Sequence, residues 1–252
     1  MGDNREDLIW EEVSTEHIIR DEWIDFRRSA YRLPDGNVFE PFYSYSRRDY
    51  VVIVASDCDG NYLCVRQFRQ GVGEVTTEFP AGCLERLDGS ANSFDGLEQS
   101  NGRGYSVGGL EQSNERGHSV GGLEQSDRRE CSTGIGGTIR EAAISGTMTS
   151  ENRTSEDALT AAKRELLEET GYLSSEWTHL LTIPSNATIS DNFAHVYMAK
   201  NCRMEAQQHL DETEFLNVEL HTPQEIEEMI HTGRFQQAVH VMAWLLARQR
   251  WT

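Results

Sequence analysis

No part of this 252-residue chain is apolar for long enough to cross a bilayer; the longest aliphatic run is residues 51–55. Basic residues are scarce, 23 Lys and Arg against 42 Asp and Glu, so the net charge is −19 and the pI about 4.8. That balance excludes non-specific binding to nucleic acid or to an anionic membrane. Cysteines are few and unpatterned: 58, 64, 83, 131 and 202, an odd number with no Cys-x-x-Cys pair. Neither a disulfide framework nor a zinc ribbon is implied, and a reducing, cytoplasmic setting is expected. The acidic N-terminus lacks a signal-peptide pattern. A phosphorylated small molecule stays possible as a ligand, provided that metal ions and local arginines screen the site.

What is present suffices for a core, with 37% hydrophobic and 9% aromatic residues. One stretch organises the rest. Residues 156–172 carry Ala158, Leu159, Ala161, Ala162, Leu166 and Leu167 with no Pro or Gly before Gly171, which predicts a helix. Ser155 is placed to cap its start and Gly171 to stop it in a left-handed conformation. Leu159 and Leu166 turn toward a core. Glu165, Glu168 and Glu169 fall at i, i+3 and i+4, so three carboxylates share a face. Glu-rich helix faces are commonly just solvated. Carboxylates at this density otherwise repel one another unless a cation sits among them, and hard oxygen donors suit Mg2+ or Mn2+.

Along the chain, residues 8–45 read as strand-rich, with strand pieces at 23–26 and 30–33, a Pro34-Asp35-Gly36-Asn37 turn, and a return at 38–45. Strands are expected at 51–56, 62–69, 76–79, 177–183, 194–199 and 215–220, with polar loop at 201–214. Thr222, Pro223 and Glu225 predict a capped helix that stops near Gly233. A last helix over 235–250 is expected to bury Ala238, Val241, Met242, Leu245 and Leu246. Residues 83–150 differ. Gly-Leu-Glu-Gln-Ser recurs at 96, 109 and 122, and Ser-Val-Gly-Gly at 106 and 119. A 13-residue period with so little apolar content does not repay chain ordering, so a disordered, tandem-duplicated insert is expected.

The spacing Glu156, seven residues, Arg164-Glu165, Leu166, one residue, Glu168-Glu169, one residue, Gly171, then Tyr172 resembles the second half of the Nudix box, the metal-binding loop–helix–loop of the Nudix hydrolases. The Gly that opens that box is Ser150 here; its counterpart is Gly82 in Glu78-Phe79-Pro80-Ala81-Gly82, with the repeats between. The resemblance covers nearly everything outside 83–150. It implies an α+β fold: a Nudix-like α/β/α sandwich with a mixed sheet. An N-terminal strand-rich hairpin (1–45) for dimerisation and substrate precedes the Nudix domain at 46–252. Trp23-Ile24, residues 31–36, Arg66-Gln67-Phe68-Arg69, Glu78–Gly82 and the late acidic loop place the likeness nearest the ADP-ribose or ADP-sugar pyrophosphatases. That branch shows a Pro-Gly pair after the box, where this chain has Pro184-Ser185-Asn186.

The resemblance implies metal-dependent hydrolysis of a nucleoside diphosphate sugar, foremost ADP-ribose, by a homodimer. Its metal ligands are Glu165, Glu169, Glu214 and the Ala81 carbonyl. Glu212 is the expected base, Glu168 assists, and Arg164 and Glu156 brace the helix. Arg69 is a candidate for the diphosphate, or else a strand-end surface arginine. Trp23, Phe42 and Tyr43 either stack on the base or pack in a core or dimer. Some Nudix domains bind nucleotide sugars without cleaving them; those usually lose box glutamates, and this chain keeps all three. An enzyme inactivated by the insertion is the remaining reading.

Overall fold

Residues 50–57 set the architecture. They form β4 (Tyr50–Asp57), an almost uninterrupted apolar strand whose alternate side chains enter two different cores. Val51, Ile53 and Ala55 face one side and Val52 and Val54 the other, all fully buried, which is the signature of a sheet covered on both faces. The computed structural model describes residues 8–21, 23–85, 155–211 and 213–250. All belong to one compact unit. The repeats, Cys131 and Glu212 lie outside the described residues.

The large sheet is mixed, as expected for an α+β sandwich. β4 pairs in parallel with β10 (Phe193–Met204), and β10 pairs antiparallel with β9 (Glu176–Pro184) and the short β8 (Tyr172–Leu173). On its other side β4 meets β5 (Tyr62–Arg69) and β7 (Ala81–Cys83); β5 in turn carries β6 (Glu74–Glu78) and β11 (Leu216–His221). Helix α1 (Ala158–Thr170) covers one face with Ala161, Ala162 and Leu166. Helices α2 (Pro223–His231) and α3 (Ala238–Arg250) cover the other with Ile226, Met229, Ala243, Trp244 and Ala247.

A separate antiparallel sheet, β1 (Glu11–Arg20), β2 (Asp25–Arg32) and β3 (Val38–Ser46), forms the N-terminal part. Trp10, Tyr31 and Phe42 cluster edge-on with ring centroids 5.3–6.1 Å apart, and Phe26 stacks on Tyr43 at 5.7 Å. The sheet is tied to the 185–192 loop: the Tyr45 amide donates to the Ile189 carbonyl, and Arg27 pairs with Asp191 at 3.1 Å. Among the described residues no helix is long and apolar enough to cross a membrane.

Three local expectations are corrected. Asp157, not Ser155, caps α1, its carboxylate accepting the Thr160 amide; Ser155 is in an isolated bridge instead. The stretch 201–214 is not all loop, because β10 runs on to Met204. The buried stripe of α3 is His240, Ala243, Trp244 and Ala247, and Leu245 is 57% exposed. Those residues lie two positions along, about half a turn away from the expected stripe. Alanines 243 and 247 let the helix sit close to the sheet, and Trp244 fills the space beside them. Val241, Met242 and Leu246 pack only on the flanks.

Gly171 ends α1 as expected, with φ +75° and its amide on the Leu167 carbonyl. A Cβ there would also run into the Ala206 carbonyl oxygen. Gly171→Ala therefore combines left-handed strain with a backbone clash. It should destabilise the fold by about 2 kcal/mol, read as a Tm several degrees lower in a thermal melt.

Candidate active site

The site is made where α1 crosses β7. Strand β7 is held by β4 through Tyr50–Cys83 and Val52–Ala81 pairing, and Ile53 donates its amide to the Pro80 carbonyl. Helix α1 lays Glu165 and Glu169, one turn apart, onto this strand, where they are 7% and 2% exposed. Glu169 Oε2 accepts the Ala81 amide at 3.0 Å. A Cβ on Gly82 would overlap the whole Glu165 carboxyl group. The missing side chain at 82 is what lets that carboxylate lie against the strand.

Arg164 ties the arrangement together. Its Nη1 donates to Glu165 Oε1 at 2.8 Å and Glu168 Oε2 at 3.0 Å, and its Nη2 to Glu156 Oε2 at 2.9 Å and the Cys83 carbonyl at 3.1 Å. Burial works against its charge, but the bonds to Glu156, Glu165 and Glu168 hold it protonated. Glu156 also accepts the Glu85 amide and donates its own amide to the Glu85 carbonyl at 2.8 Å. The two chain ends that flank the repeats are thereby fastened side by side.

Burial pushes Glu165 up to about 7, against the pull of Arg164, with Glu168 and Glu214 adding repulsion. Glu169 is raised well above the usual carboxylate range, by burial first and then by Glu165; Glu214 adds to this, while the Ala81 amide and Arg69 oppose it. Glu214 is thus near enough for its charge to act on both. It is held in a turn by the Asp211 amide at 3.1 Å and adjoins a cavity of about 270 Å³ lined also by Leu210, Phe215, Leu216 and Asn217. Glu168 is only half buried.

A small divalent cation fits this donor set. The carboxylates are hard oxygen donors whose own repulsion raises their proton affinity, and Mg2+ keeps several waters and needs only one or two carboxylates. Among the described residues no three His, Cys, Asp or Glu side chains already converge on a metal-sized point. Glu165 and Glu169 are the two carboxylates buried side by side against β7.

The other candidates are less gathered. Arg69 donates through Nε to Glu78 Oε1 at 2.7 Å, at the rim of the carboxylate cluster. Phe42 is half buried in the aromatic cluster of the N-terminal sheet, Tyr43 is 46% exposed and Trp23 67% exposed. The structure adds Glu78 and His240, to which the sequence reading gives no role. An acid closing a buried strand was a visible signal for Glu78. A lone histidine on a helix marks nothing.

A model of the NUDIX domain matches residues 113–245, more than half of the chain, and the chain belongs to the Nudix family. The chain is similar in fold to a crystallographically solved ADP compounds hydrolase, with a TM-score of 0.59 over 95% of this chain and 92% of that one, at 15% identity. No curated protein matches it.

The raised Glu165 sets a pH dependence whose sign is fixed. Below about pH 4.5 the residue is protonated folded or unfolded; up to about 7 only the folded chain holds the proton; above that, folding buries a charge. Its contribution to stability is therefore present at low pH and lost as pH rises through 7. In metal-free buffer Glu165→Gln should raise Tm by several degrees at pH 8 and by much less at pH 5. An equal shift at both pH values would show that the carboxylate is not held in this way.

Proposed function

We propose that the chain hydrolyses the diphosphate of a nucleoside diphosphate sugar, with ADP-ribose the first substrate to test, giving a nucleoside monophosphate and a sugar phosphate. The observation that carries this reading is the pair Glu165 and Glu169, buried side by side on the Ala81–Gly82 backbone under the grip of Arg164. Mg2+ or Mn2+ would be held by Glu165 and Glu169, with Glu214 and the Ala81 carbonyl as further donors, and would supply charge neutralisation on the phosphoryl oxygens and a more acidic water.

The chain's own groups divide the remaining work. Arg164 is saturated by acceptors, so it orients Glu165 and Glu168 and does not reach for substrate. Arg69 is the cation at the rim that can meet the diphosphate. Glu212 is our candidate base, two residues from Glu214, and Glu168 assists. Trp23, exposed in the turn between β1 and β2, and Tyr43, exposed on β3, are our candidates for stacking on the nucleoside, with Phe42, the neighbour of Tyr43 in the chain, in the aromatic cluster. Leu8, Ile9 and Trp10 just before β1, and Val13, Ile18 and Ile19 on it, are exposed as well. So many exposed apolar side chains in the N-terminal part support a homodimer built through it, to be read by sedimentation.

Product analysis with ADP-ribose and Mg2+ tests the activity. Release of AMP and ribose 5-phosphate, abolished by a chelator, is expected. Glu169→Gln should lower turnover by at least about 100-fold with an unchanged circular dichroism spectrum. Tight binding without product would instead make the chain a nucleotide-sugar sensor. Glu212→Gln should lower kcat more than KM, since a base acts in the transition state; the larger kcat loss in Glu214→Gln would exchange the two roles.

We further propose that the repeats are dispensable for catalysis. Glu85 and Glu156 already hold the flanking ends together, and loop closure changes by only about 0.6 kcal/mol per doubling of length. Replacing 86–150 by a short polar turn should leave metal-dependent turnover within about twofold of the parent. Loss of activity with the fold intact would make the repeats part of the working site.

A further inference from the structure

Glu78 is fully buried, and the arrangement around it is lopsided. Its Oε1 accepts Arg69 Nε at 2.7 Å and the Thr76 hydroxyl at 3.3 Å. Its Oε2 is buried with no hydrogen-bond partner and stands 3.9 Å from His240 Nε2. His240, itself 3% exposed, accepts the Phe79 amide at Nδ1 over 3.1 Å. That bond fixes the tautomer: the ring proton is on Nε2, the nitrogen that faces Glu78. Burial pushes the imidazole down to about 4, so the ring is neutral at neutral pH and offers a dipole rather than a charge. Among the described residues Arg69 is the permanent cation paired with the Glu78 carboxylate.

As a device for stability this is poor, because a buried charge with one oxygen unpartnered is expensive to desolvate. As a device for aim it makes sense. The carboxylate grips the guanidinium by Nε, the edge nearest the side-chain stem. Among the described residues nothing takes the two terminal nitrogens, and the side chain remains 34% exposed. Register puts Arg69 opposite Glu74 and leaves Glu78 one step before Phe79-Pro80-Ala81, the segment that delivers the Ala81 amide to Glu169. The anchor and the backbone against which the carboxylate pair rests are therefore built on one short piece of chain. An arginine locked in this way has already lost its rotamer freedom, so it loses less when it meets an anion.

We propose that Glu78, backed by His240, is the positioning residue for Arg69, fixing its guanidinium so that the two terminal nitrogens meet the substrate diphosphate as it settles beside Glu165 and Glu169. The inference rests on the diphosphate hydrolysis proposed above and adds the residue that prepares its anion clamp.

A double-mutant cycle tests it on the full-length protein, with ADP-ribose and Mg2+. Glu78→Gln should raise KM about tenfold with a smaller effect on kcat. Arg69→Ala should raise it at least as much. The double variant should be no worse than Arg69→Ala, because Glu78 acts through Arg69. A purely structural role would instead carry its full penalty into the Arg69→Ala background, and that result overturns the proposal. Arg69→Lys gives a check that does not depend on how the Glu78 variant folds. Lysine cannot be gripped at a stem nitrogen while presenting two others, so it should behave like alanine; wild-type KM in Arg69→Lys overturns the anchoring geometry. Should the wild type bind ADP-ribose without turnover, the hydrolytic reading fails and the same cycle is read in Kd by calorimetry. Non-additivity there sustains the positioning role, and additivity ends it. Absence of both binding and turnover overturns both readings.

Discussion

Two carboxylates forced out of water against a strand backbone are the constraint on which this structure depends. Glu165 and Glu169 gain little by their position: each is desolvated, Glu165 is repelled further by Glu168 and Glu214, and Glu169 by Glu165 and Glu214. Every neighbouring feature answers that problem. Arg164 supplies a delocalised charge that reaches Glu165, Glu168 and Glu156 at once, which a lysine could not do with a single point charge. The Ala81 amide supplies a dipole to Glu169. Gly82 supplies space. The family's box is usually described as one continuous loop–helix–loop, but its physical content is this meeting of a glycine strand and a glutamate helix. The meeting needs both pieces to be adjacent in space, not in sequence, and the Glu85–Glu156 bonds provide adjacency across the 69 intervening positions between 86 and 154.

The rest of the fold keeps that crossing from shifting. β4 is buried on both faces, so β7, paired to it, has a rigid reference. From the opposite layer, α3 reaches the same segment through the bond between His240 and the Phe79 amide and through Trp244 against the Phe79 ring, joined there by Phe235 from the turn before the helix. The residues 78–82 are therefore clamped from both sides of the sheet. Five consecutive positions then present, in order, the Arg69 anchor, a core ring, a proline, the amide for Glu169 and the space for Glu165.

The parts of the fold legible in the sequence were those where one local signal suffices. The Thr222, Pro223, Glu225 cap appears as read, with both capping-box bonds formed, because its chemistry is contained within four residues. β4 and β5 were plain because apolar runs of that length between turn residues admit few alternatives. The α1 carboxylates were plain because helical spacing alone puts them on one face. What was not legible depended on partners distant in sequence. β1 exposes nine of its ten residues and so has no inside–outside alternation to detect. α3 is apolar on more than one side, and hydropathy chose the bulkier side; close approach to the sheet chose the alanines and Trp244 instead. Ser155 and Asp157 are both capping residues, and only the backbone path out of the Glu85–Glu156 contact decides between them. Glu78 stands in the Glu78–Gly82 motif, but its contacts are with Arg69, nine residues away, and His240, 162 residues away.

Taken as a total, the net charge of −19 argues against a polyanionic ligand, and the placement of the charges resolves this. Long-range repulsion between a negative protein and a nucleotide slows encounter and is screened within about 10 Å at ordinary ionic strength. Binding is decided inside that distance, where dielectric is low and individual groups dominate. There the balance of charges is local: Arg69 at the rim, Arg164 bonded to box carboxylates, and a buried glutamate pair with raised proton affinity. Surface acidity therefore suppresses non-specific anion binding without touching the site, and under the proposed function a cation among the site's carboxylates would be a condition of binding the diphosphate. The acidic composition and a phosphate ligand are compatible because burial, not total charge, sets the electrostatics at the crossing of α1 and β7.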